Sequence, residues 1–198
     1  MSFKPHIVGI GGTARSGSSS ERALMLALAE AEANGASVEL FAGSSIGLPM
    51  YPTDSPDRTA DALKLVEALR RANGIVLSSP GYHGSISGML KNALDYVEDM
   101  RSDVFPYFEG RAVGLIVCAN GWQSTGTTLV AMRSIVHALR GWPTPLAVAI
   151  NSSACVFNEG GALIDAALRG QMRLLAQQVV EFSHMWALRN SPSSQNTR

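Results

Sequence analysis

Residues 9–24, GIGGTARSGSSSERAL, join a short apolar run to a helical pattern through a loop of glycines, hydroxyl side chains and one arginine. A strand, a small-residue loop and a helix in this order are typical of an anion-binding loop, because the free N–H groups at the helix N-terminus point into the loop. Ser18 and Glu21 have the spacing of a capping box, which predicts that the helix begins directly after Ser18. The segment therefore predicts a bound anion, to which Arg15 adds a charged donor.

Four familiar loops begin in a similar way, and residue identities separate them. Residues 9–14 match the dinucleotide pattern G-x-G-x-x-A, but RSGSSS would be a poor first helical turn. A Walker A loop needs a lysine where Ser18 stands, and a phosphatase loop needs a cysteine, of which the first is Cys118. A receiver domain needs an aspartate at the end of the third strand, which reads Ser78-Ser79-Pro80. What remains is a phosphate monoester that is bound and not attacked, or a capped loop that faces solvent.

The rest of the chain alternates apolar runs with helical periodicity, which predicts a doubly wound α/β fold. The predicted strands are His6–Gly11, Ser37–Phe41, Ile75–Ser79, Ala112–Ala119 and Leu146–Ile150, and the predicted helices are Ser20–Asn34, Asp57–Ala72, Ile86–Met100, Thr127–Arg140 and Leu163–Leu188. We expect a five-stranded parallel sheet in the order 2-1-3-4-5, with helices on both faces in three α/β/α layers. Residues 1–189 are expected to form a single domain, and residues 190–198, which lack apolar side chains, a disordered tail.

The composition is that of an ordinary globular protein and excludes several classes of partner. Of 198 residues, 16 are basic and 16 acidic, so nothing attracts nucleic acid or an anionic membrane surface. No apolar run reaches membrane-spanning length, and the N-terminus does not have the pattern of a signal peptide. The two cysteines, Cys118 and Cys155, form no framework, and the four histidines show no metal-binding spacing. We therefore expect a cytoplasmic protein that does not associate with a membrane and has no metal site.

A second loop follows the third predicted strand, in SSPGYHGSISGMLKNALDYVE (residues 78–98). Pro80, Gly81 and Gly84 predict a rigid turn that a flat ligand can approach closely, and Tyr82 and His83 lie at its tip. In the order 2-1-3-4-5 the first and third strands flank the point where FMN sits in such folds. A phosphate monoester in the first loop and a planar ring along the second together describe FMN.

A third loop, ANGWQSTG (residues 119–126), follows the fourth strand at the same edge of the sheet. Asn120 and Gly121 are candidates to touch the ring. Trp122 is either a wall of the substrate pocket or an anchor of a protein interface.

Two of these segments resemble the NAD(P)H-dependent FMN reductase family of flavodoxin-like quinone, azo and flavin reductases. GGTARSGSSS is similar to the family pattern G-S-x-R-x-x-S-x-N, and SPGYHGSISGMLKNALD is similar to P-x-Y-N/H-G-S-x-P-G-x-L-K-N-A-x-D. A weaker likeness covers VFNEGGALIDAALRGQMRLLAQQV near the C-terminus. The resemblance implies a phosphate site made of Thr13, Arg15, Ser18, Ser19 and Ser20, and a ring site made of Pro80, Gly81, Tyr82, His83 and Gly84. Thr13, Ser20, Gly81 and Ser87 depart from the family pattern.

The resemblance also implies the chemistry. NAD(P)H would deliver hydride to FMN, and a small acceptor such as a quinone, an azo compound or a flavin would then take the electrons in a ping-pong cycle. No side-chain acid or base is required; N–H groups at the start of a helix from Ser85 to Met100 would stabilise the reduced ring. Two alternatives are a flavodoxin-type electron carrier, which the zero net charge disfavours, and a cofactor-free partner-binding domain, which Arg15 and the Tyr82 loop disfavour.

Two long loops carry many large apolar side chains, which predicts a homodimer or homotetramer with a shared pocket. The first, Gly43–Pro56, contains Ile46, Leu48, Met50 and Tyr51; the second, Arg101–Gly110, contains Val104, Phe105, Tyr107 and Phe108. The alternative is a monomer whose loops fold back on their own subunit.

Overall fold

Strands and helices alternate along the chain in the computed structural model, which describes residues 3–154, 156–158, 160 and 162–190. The strands are β1 (His6–Gly11), β2 (Ser37–Phe41), β3 (Gly74–Pro80), β4 (Ala112–Ala119), β5 (Trp142–Pro143) and β6 (Val148–Asn151). The α-helices are α1 (Ser19–Ala33), α2 (Ala60–Arg71), α3 (Gly88–Asp95), α4 (Trp122–Ala138) and α5 (Ala166–Arg189). Short 3₁₀ helices cover Gly43–Ile46 and Tyr96–Met100.

The sheet is parallel and has the order β2-β1-β3-β4-β5, which confirms the predicted order 2-1-3-4-5. A sixth strand, β6, also pairs with β4. The predicted fifth strand, Leu146–Ile150, corresponds to β6, and the unpredicted β5 precedes it on the same neighbour, β4; residues 144–147 separate the two strands. Pro145 has no N–H, and the Leu146 N–H donates to Gln178 Oε1 at 3.2 Å instead of to β4, which explains the break.

Apolar side chains fill both sides of the sheet. α1 and α5 cover one face, where Leu24 and Leu175 pack with Val76. The other face carries α2, α3 and α4, and Leu65 and Leu90 belong to its core. β3 and β4 lie between the two layers and are buried along almost their whole length, as their continuous apolar sequences predicted. Among the described helices, none has the length and apolar composition of a membrane span.

Several predicted boundaries differ from those observed. The predicted helix 86–100 is α3 followed by a 3₁₀ helix, and α4 begins at Trp122, five residues before the predicted Thr127. Asn190 caps the C-terminus of α5 through its N–H bond to the Trp186 carbonyl at 3.2 Å, so the helical end extends one residue into the predicted tail. Residues 191–198 and Cys155 lie outside the described residues.

The start of α1 confirms the predicted cap, with one difference. Ser18 Oγ accepts the Glu21 N–H at 3.2 Å, as an N-cap side chain does. The Glu21 carboxylate, however, accepts the Gly17 N–H at 2.6 Å, one residue before the position that a capping box uses. The Glu21 side chain therefore ties the end of the loop, at Gly17, to the first turn of α1.

Candidate functional site

The loops after β1, β3 and β4 meet at the carboxyl edge of the sheet around a cavity of about 510 Å³. This volume is within the usual range of small-molecule sites. The described residues that line it are Thr13, Arg15, Ser18, Ser19, Ser20, Pro80, Gly81, Tyr82, Cys118, Ala119, Asn120, Ser124 and Ser152. One cavity thus joins the three loops that the sequence singled out.

Nine of the twelve candidate residues line this cavity, and three do not. His83 and Gly84 lie at the exposed tip of the second loop, and Gly121 lies at the start of α4. The sequence reasoning missed Cys118, Ala119, Ser124 and Ser152. The last of these directly follows β6, so the rule that ligands meet the carboxyl ends of strands points to it once β6 is placed beside β4.

The first loop is rich in neutral donors around one cation. Thr13 Oγ1 accepts the Arg15 N–H at 3.1 Å, which leaves the Thr13 hydroxyl hydrogen available as a donor. Ser18 Oγ and Ser20 Oγ lie 3.3 Å apart. Arg15 is the only charged residue among the described residues that line the cavity, and none of them pairs with its guanidinium. The donors and the positive end of α1 favour an anion at this end of the cavity.

The second loop is a tight turn rather than the beginning of a helix. The Tyr82 N–H donates to the Ser85 carbonyl at 2.9 Å, and the Ser85 N–H donates back to Tyr82 at 3.0 Å. His83 and Gly84 have φ values of 51° and 84°, which is the pattern of a type I′ turn. A positive φ at a histidine is strained, and strain of this kind is concentrated at functional loops.

This turn corrects the prediction of a helix that begins at Ser85 and offers its N–H groups to the ring. The Ser85 N–H is used within the turn, and the Ser87 N–H donates to Ser79 Oγ at 3.0 Å. Ser87 is the N-cap of α3, because its Oγ accepts the Leu90 N–H at 3.1 Å. The helix therefore begins only at Gly88, and these two amides are not available to a ligand.

The second and third loops pack tightly against each other at Gly81. The Gly81 N–H donates to the Cys118 carbonyl at 2.9 Å. A Cβ atom at Gly81 would lie 2.9 Å from both Ala119 Cβ and Thr128 Oγ1, so the close approach requires glycine. The departure from the family pattern at this position therefore has a packing reason.

The third loop contributes Asn120 to the cavity but uses Gly121 for structure. The Gly121 N–H donates to Asn151 Oδ1 at 3.1 Å, which ties the start of α4 to the end of β6. Trp122 is the first residue of α4 and is exposed. It is not among the described residues that line the cavity.

Cys118 forms part of the cavity wall, yet its side chain is only 5% exposed. Burial raises the pKa of the Cys118 thiol to about 12, so the thiol is protonated at neutral pH. It therefore presents a neutral, weakly polar surface instead of a nucleophile. Among the described residues, no group of three metal-ligating side chains occurs.

A doubly wound sheet with an anion loop after β1 and a cavity between β1, β3 and β4 defines a flavodoxin-like flavoprotein. The sequence profile described as NADPH-dependent FMN reductase matches residues 5–154. The chain belongs to this family, which confirms the resemblance seen in the sequence. It is an FMN-dependent oxidoreductase that uses NAD(P)H.

Individual relatives agree with this assignment. An FMN-dependent NADPH-azoreductase of Staphylococcus aureus is 36% identical over 143 residues, which cover 71% of this chain and 70% of the relative. Among solved structures, the flavoenzyme NAD(P)H:(acceptor) oxidoreductase FerB from Paracoccus denitrificans has a TM-score of 0.75 at 19% identity, covering 91% of this chain and 98% of its own. An apo NADH:FMN oxidoreductase, EMOB, has a TM-score of 0.69 at 18% identity, covering 96% of this chain and 94% of its own. The two structures show that the fold is shared.

Proposed function

We propose that the protein reduces a small planar acceptor, such as a quinone, an azo compound or a free flavin, in a ping-pong cycle driven by NADPH. When bound, FMN would supply the hydride-transfer chemistry that connects the nicotinamide to the second substrate. The observation that carries the proposal is the single cavity bounded by the three strand-end loops. Both substrates would use the same cavity, so the first product must leave before the acceptor enters.

The donor set of the cavity fits FMN. Its anion end offers hydroxyl groups and the Arg15 guanidinium, which pairs with no carboxylate of the described residues, and no carboxylate lies among the described lining residues to repel a phosphate. We assign Thr13, Arg15, Ser18, Ser19 and Ser20 to the phosphate. Riboflavin tests this assignment, because it lacks the phosphate and should bind far more weakly than FMN.

The other end of the cavity is neutral and fits the ring. We assign Pro80, Gly81, Tyr82 and Asn120 to contacts with the isoalloxazine. His83 and Gly84 shape the turn that presents Tyr82, which is 55% exposed. The bond from the Gly121 N–H to Asn151 Oδ1 fixes the backbone next to Asn120. An exposed aromatic side chain beside a neutral cavity favours a planar, uncharged acceptor over a charged one.

The protein contributes binding and orientation, and we name no catalytic acid or base. The ionisable side chains that line the cavity are Arg15, Tyr82 and Cys118. Arg15 lies in the anion loop, and Cys118 keeps its proton because its pKa is raised to about 12. Tyr82 is assigned to a ring contact, so we give none of these three side chains the role of an acid or a base.

Steady-state kinetics of the FMN-loaded protein test the proposal. With NADPH and each of several acceptors as varied substrates, double-reciprocal plots should give parallel lines. Intersecting lines would exclude the ping-pong order, and oxidation of NADPH without any response to quinones, azo compounds or flavins would exclude the acceptor class. NADH in place of NADPH shows which nucleotide is preferred.

We also propose that the enzyme is a cytoplasmic homodimer or homotetramer, although the structure removes part of the sequence argument for association. Ile46 and Phe108 are buried within their own subunit, and Leu48, Tyr51 and Tyr107 pack against its core. Three large apolar side chains of the two loops stay exposed: Met50 at 80%, Val104 at 90% and Phe105 at 46%.

Sedimentation velocity at micromolar concentration tests the dimer. The wild type should sediment as a dimer or a larger assembly, and the double substitution Met50→Asp with Phe105→Asp should shift it towards the monomer. A monomeric wild type with full activity would exclude a shared pocket.

A further inference from the structure

Two consecutive serines, Ser78 and Ser79, lie near the carboxyl end of β3, and both are fully buried. Neither is among the residues that line the cavity. Successive side chains of a strand point to opposite faces of the sheet. The two hydroxyl groups therefore serve different helical layers, and their hydrogen bonds show which.

Ser78 connects β3 to the anion loop. Its hydroxyl donates to the Ser20 carbonyl at 2.7 Å, and Ser20 is the second residue of α1. The same region is closely packed, because a Cβ atom at Gly12 would lie 3.1 Å from the Ser78 carbonyl oxygen. The hydroxyl of Ser78 thus holds the first turn of α1, and with it Ser18 and Ser19, at a fixed position relative to β3.

Ser79 connects β3 to the turn on the opposite side. Its hydroxyl donates to the Pro80 carbonyl at 2.8 Å and accepts the Ser87 N–H at 3.0 Å. Residues 80 and 87 are the two ends of the loop that contains the Tyr82 turn. Ser79 thus closes this loop at its base and makes no bond to the anion loop in the described structure.

We propose that Ser78 and Ser79 are positioning residues with separate tasks, Ser78 for the phosphate end of FMN and Ser79 for its ring. The inference rests on the proposed FMN site and goes beyond it, because it assigns a function to two residues that do not touch the cavity. Loss of either hydroxyl lowers FMN affinity, but only the loss at Ser78 depends on the phosphate group.

The experiment measures the affinities of FMN and riboflavin for each variant by quenching of flavin fluorescence. Ser78→Ala should weaken FMN binding about twofold to tenfold, the effect of one lost hydrogen bond, and leave riboflavin binding unchanged. Ser79→Ala leaves the Ser87 N–H without its acceptor and should weaken both flavins by the same factor. The ratio of the two affinities therefore falls in the first variant and stays constant in the second.

Ser183→Ala is the matched control. Ser183, on α5, is also a buried serine whose hydroxyl donates to backbone carbonyls, those of Asn73 at 3.0 Å and Val179 at 2.8 Å. Asn73 directly precedes β3, so this bond lies at the amino end of the strand, opposite the cavity. It should lower stability without changing either affinity. Should Ser78→Ala fail to fold, Ser78→Cys keeps the side-chain volume with a weaker donor and should change the ratio in the same direction.

The outcomes separate this inference from the site on which it rests. If the wild type binds riboflavin and FMN with equal affinity, the proposed phosphate site is refuted, and the inference is refuted with it. A wild type that prefers FMN, with a Ser78→Ala variant that loses both flavins equally, would overturn only the inference. Loss of FMN alone in Ser79→Ala would overturn it as well.

Discussion

Gly81→Ala is the substitution whose effect the packing of the site defines most closely. The new Cβ would lie 2.9 Å from Ala119 Cβ and Thr128 Oγ1, and 3.1 Å from Ser124 Oγ. Ala119 Cβ is attached directly to the backbone of β4 and cannot rotate away. Gly81 is not among the glycines with positive φ, so the cost is steric and not one of backbone conformation.

Overpacking of this kind costs about 1–3 kcal/mol. For a domain of this size the loss corresponds to a decrease in Tm of about 2–12 °C. The strain is relieved most easily by displacement of the turn that contains Tyr82, because β4 is held by strands on both sides. We therefore expect Gly81→Ala to lower FMN affinity as well as stability.

Thermal unfolding without FMN gives the change in stability, and titration with FMN gives the change in affinity. Gly88→Ala is the control, since a Cβ at Gly88 meets no atom within 4 Å and this residue begins α3. The control should be neutral or slightly stabilising. Unchanged Tm and FMN affinity in Gly81→Ala would refute the packing argument for glycine at this position.

Three further predictions concern charged and titratable groups. Arg15→Ala should weaken FMN binding about tenfold to a hundredfold, the effect of a hydrogen bond to a charged group. The control Lys64→Ala removes an exposed charge and should leave FMN affinity unchanged. Equal losses of affinity in the two variants, measured by titration, would contradict the assignment of Arg15 to the phosphate. Hydrogen bonds from the Arg58 guanidinium hold the pKa of Asp99 below its ordinary value, so this pair stabilises the fold above about pH 4 and loses its contribution as the pH falls through the lowered pKa. Asp99→Asn should therefore lower the free energy of unfolding by about 1–3 kcal/mol at pH 7. Denaturation at pH 2–3 should show a smaller difference in this free energy between variant and wild type, and an unchanged difference would contradict the prediction. Cys118, with a pKa of about 12, should resist iodoacetamide at pH 8 in the native protein and react after unfolding, as peptide mass mapping will show; rapid native alkylation would contradict its burial.

Much of the fold could be predicted because the strands carry continuous apolar sequences. The observed limits of β1, β2 and β4 agree with the prediction at both ends. β5 was not predicted, because two paired residues, Trp142 and Pro143, have no periodicity of their own and depend on the neighbouring Ala112 and Val113. The missed start of α4 contains Ser124, Thr125 and Gly126, which have low helix propensity, and the burial of Thr125 shows that tertiary packing overrides that propensity.

The candidate site could be predicted where a loop directly follows β1 or β3, the two strands that flank the point where the strand order reverses. Residues whose position depends on strand pairing or on turn geometry were missed or misplaced. Ser152 enters the cavity only because β6 lies beside β4. Because Tyr82 pairs with Ser85 in a turn, α3 begins only at Gly88, and the helical pattern of the sequence does not reveal such a turn.

The central claim is that this chain binds FMN and passes electrons from NADPH through it, and anaerobic rapid mixing tests this most directly. The FMN-loaded protein is mixed with NADPH, and a quinone is added only after the first reaction is complete. We predict that the flavin absorbance near 450 nm bleaches before any acceptor is present and returns on addition of the quinone, each in one turnover. A protein that binds FMN tightly but shows no bleaching with NADPH or NADH would contradict the account.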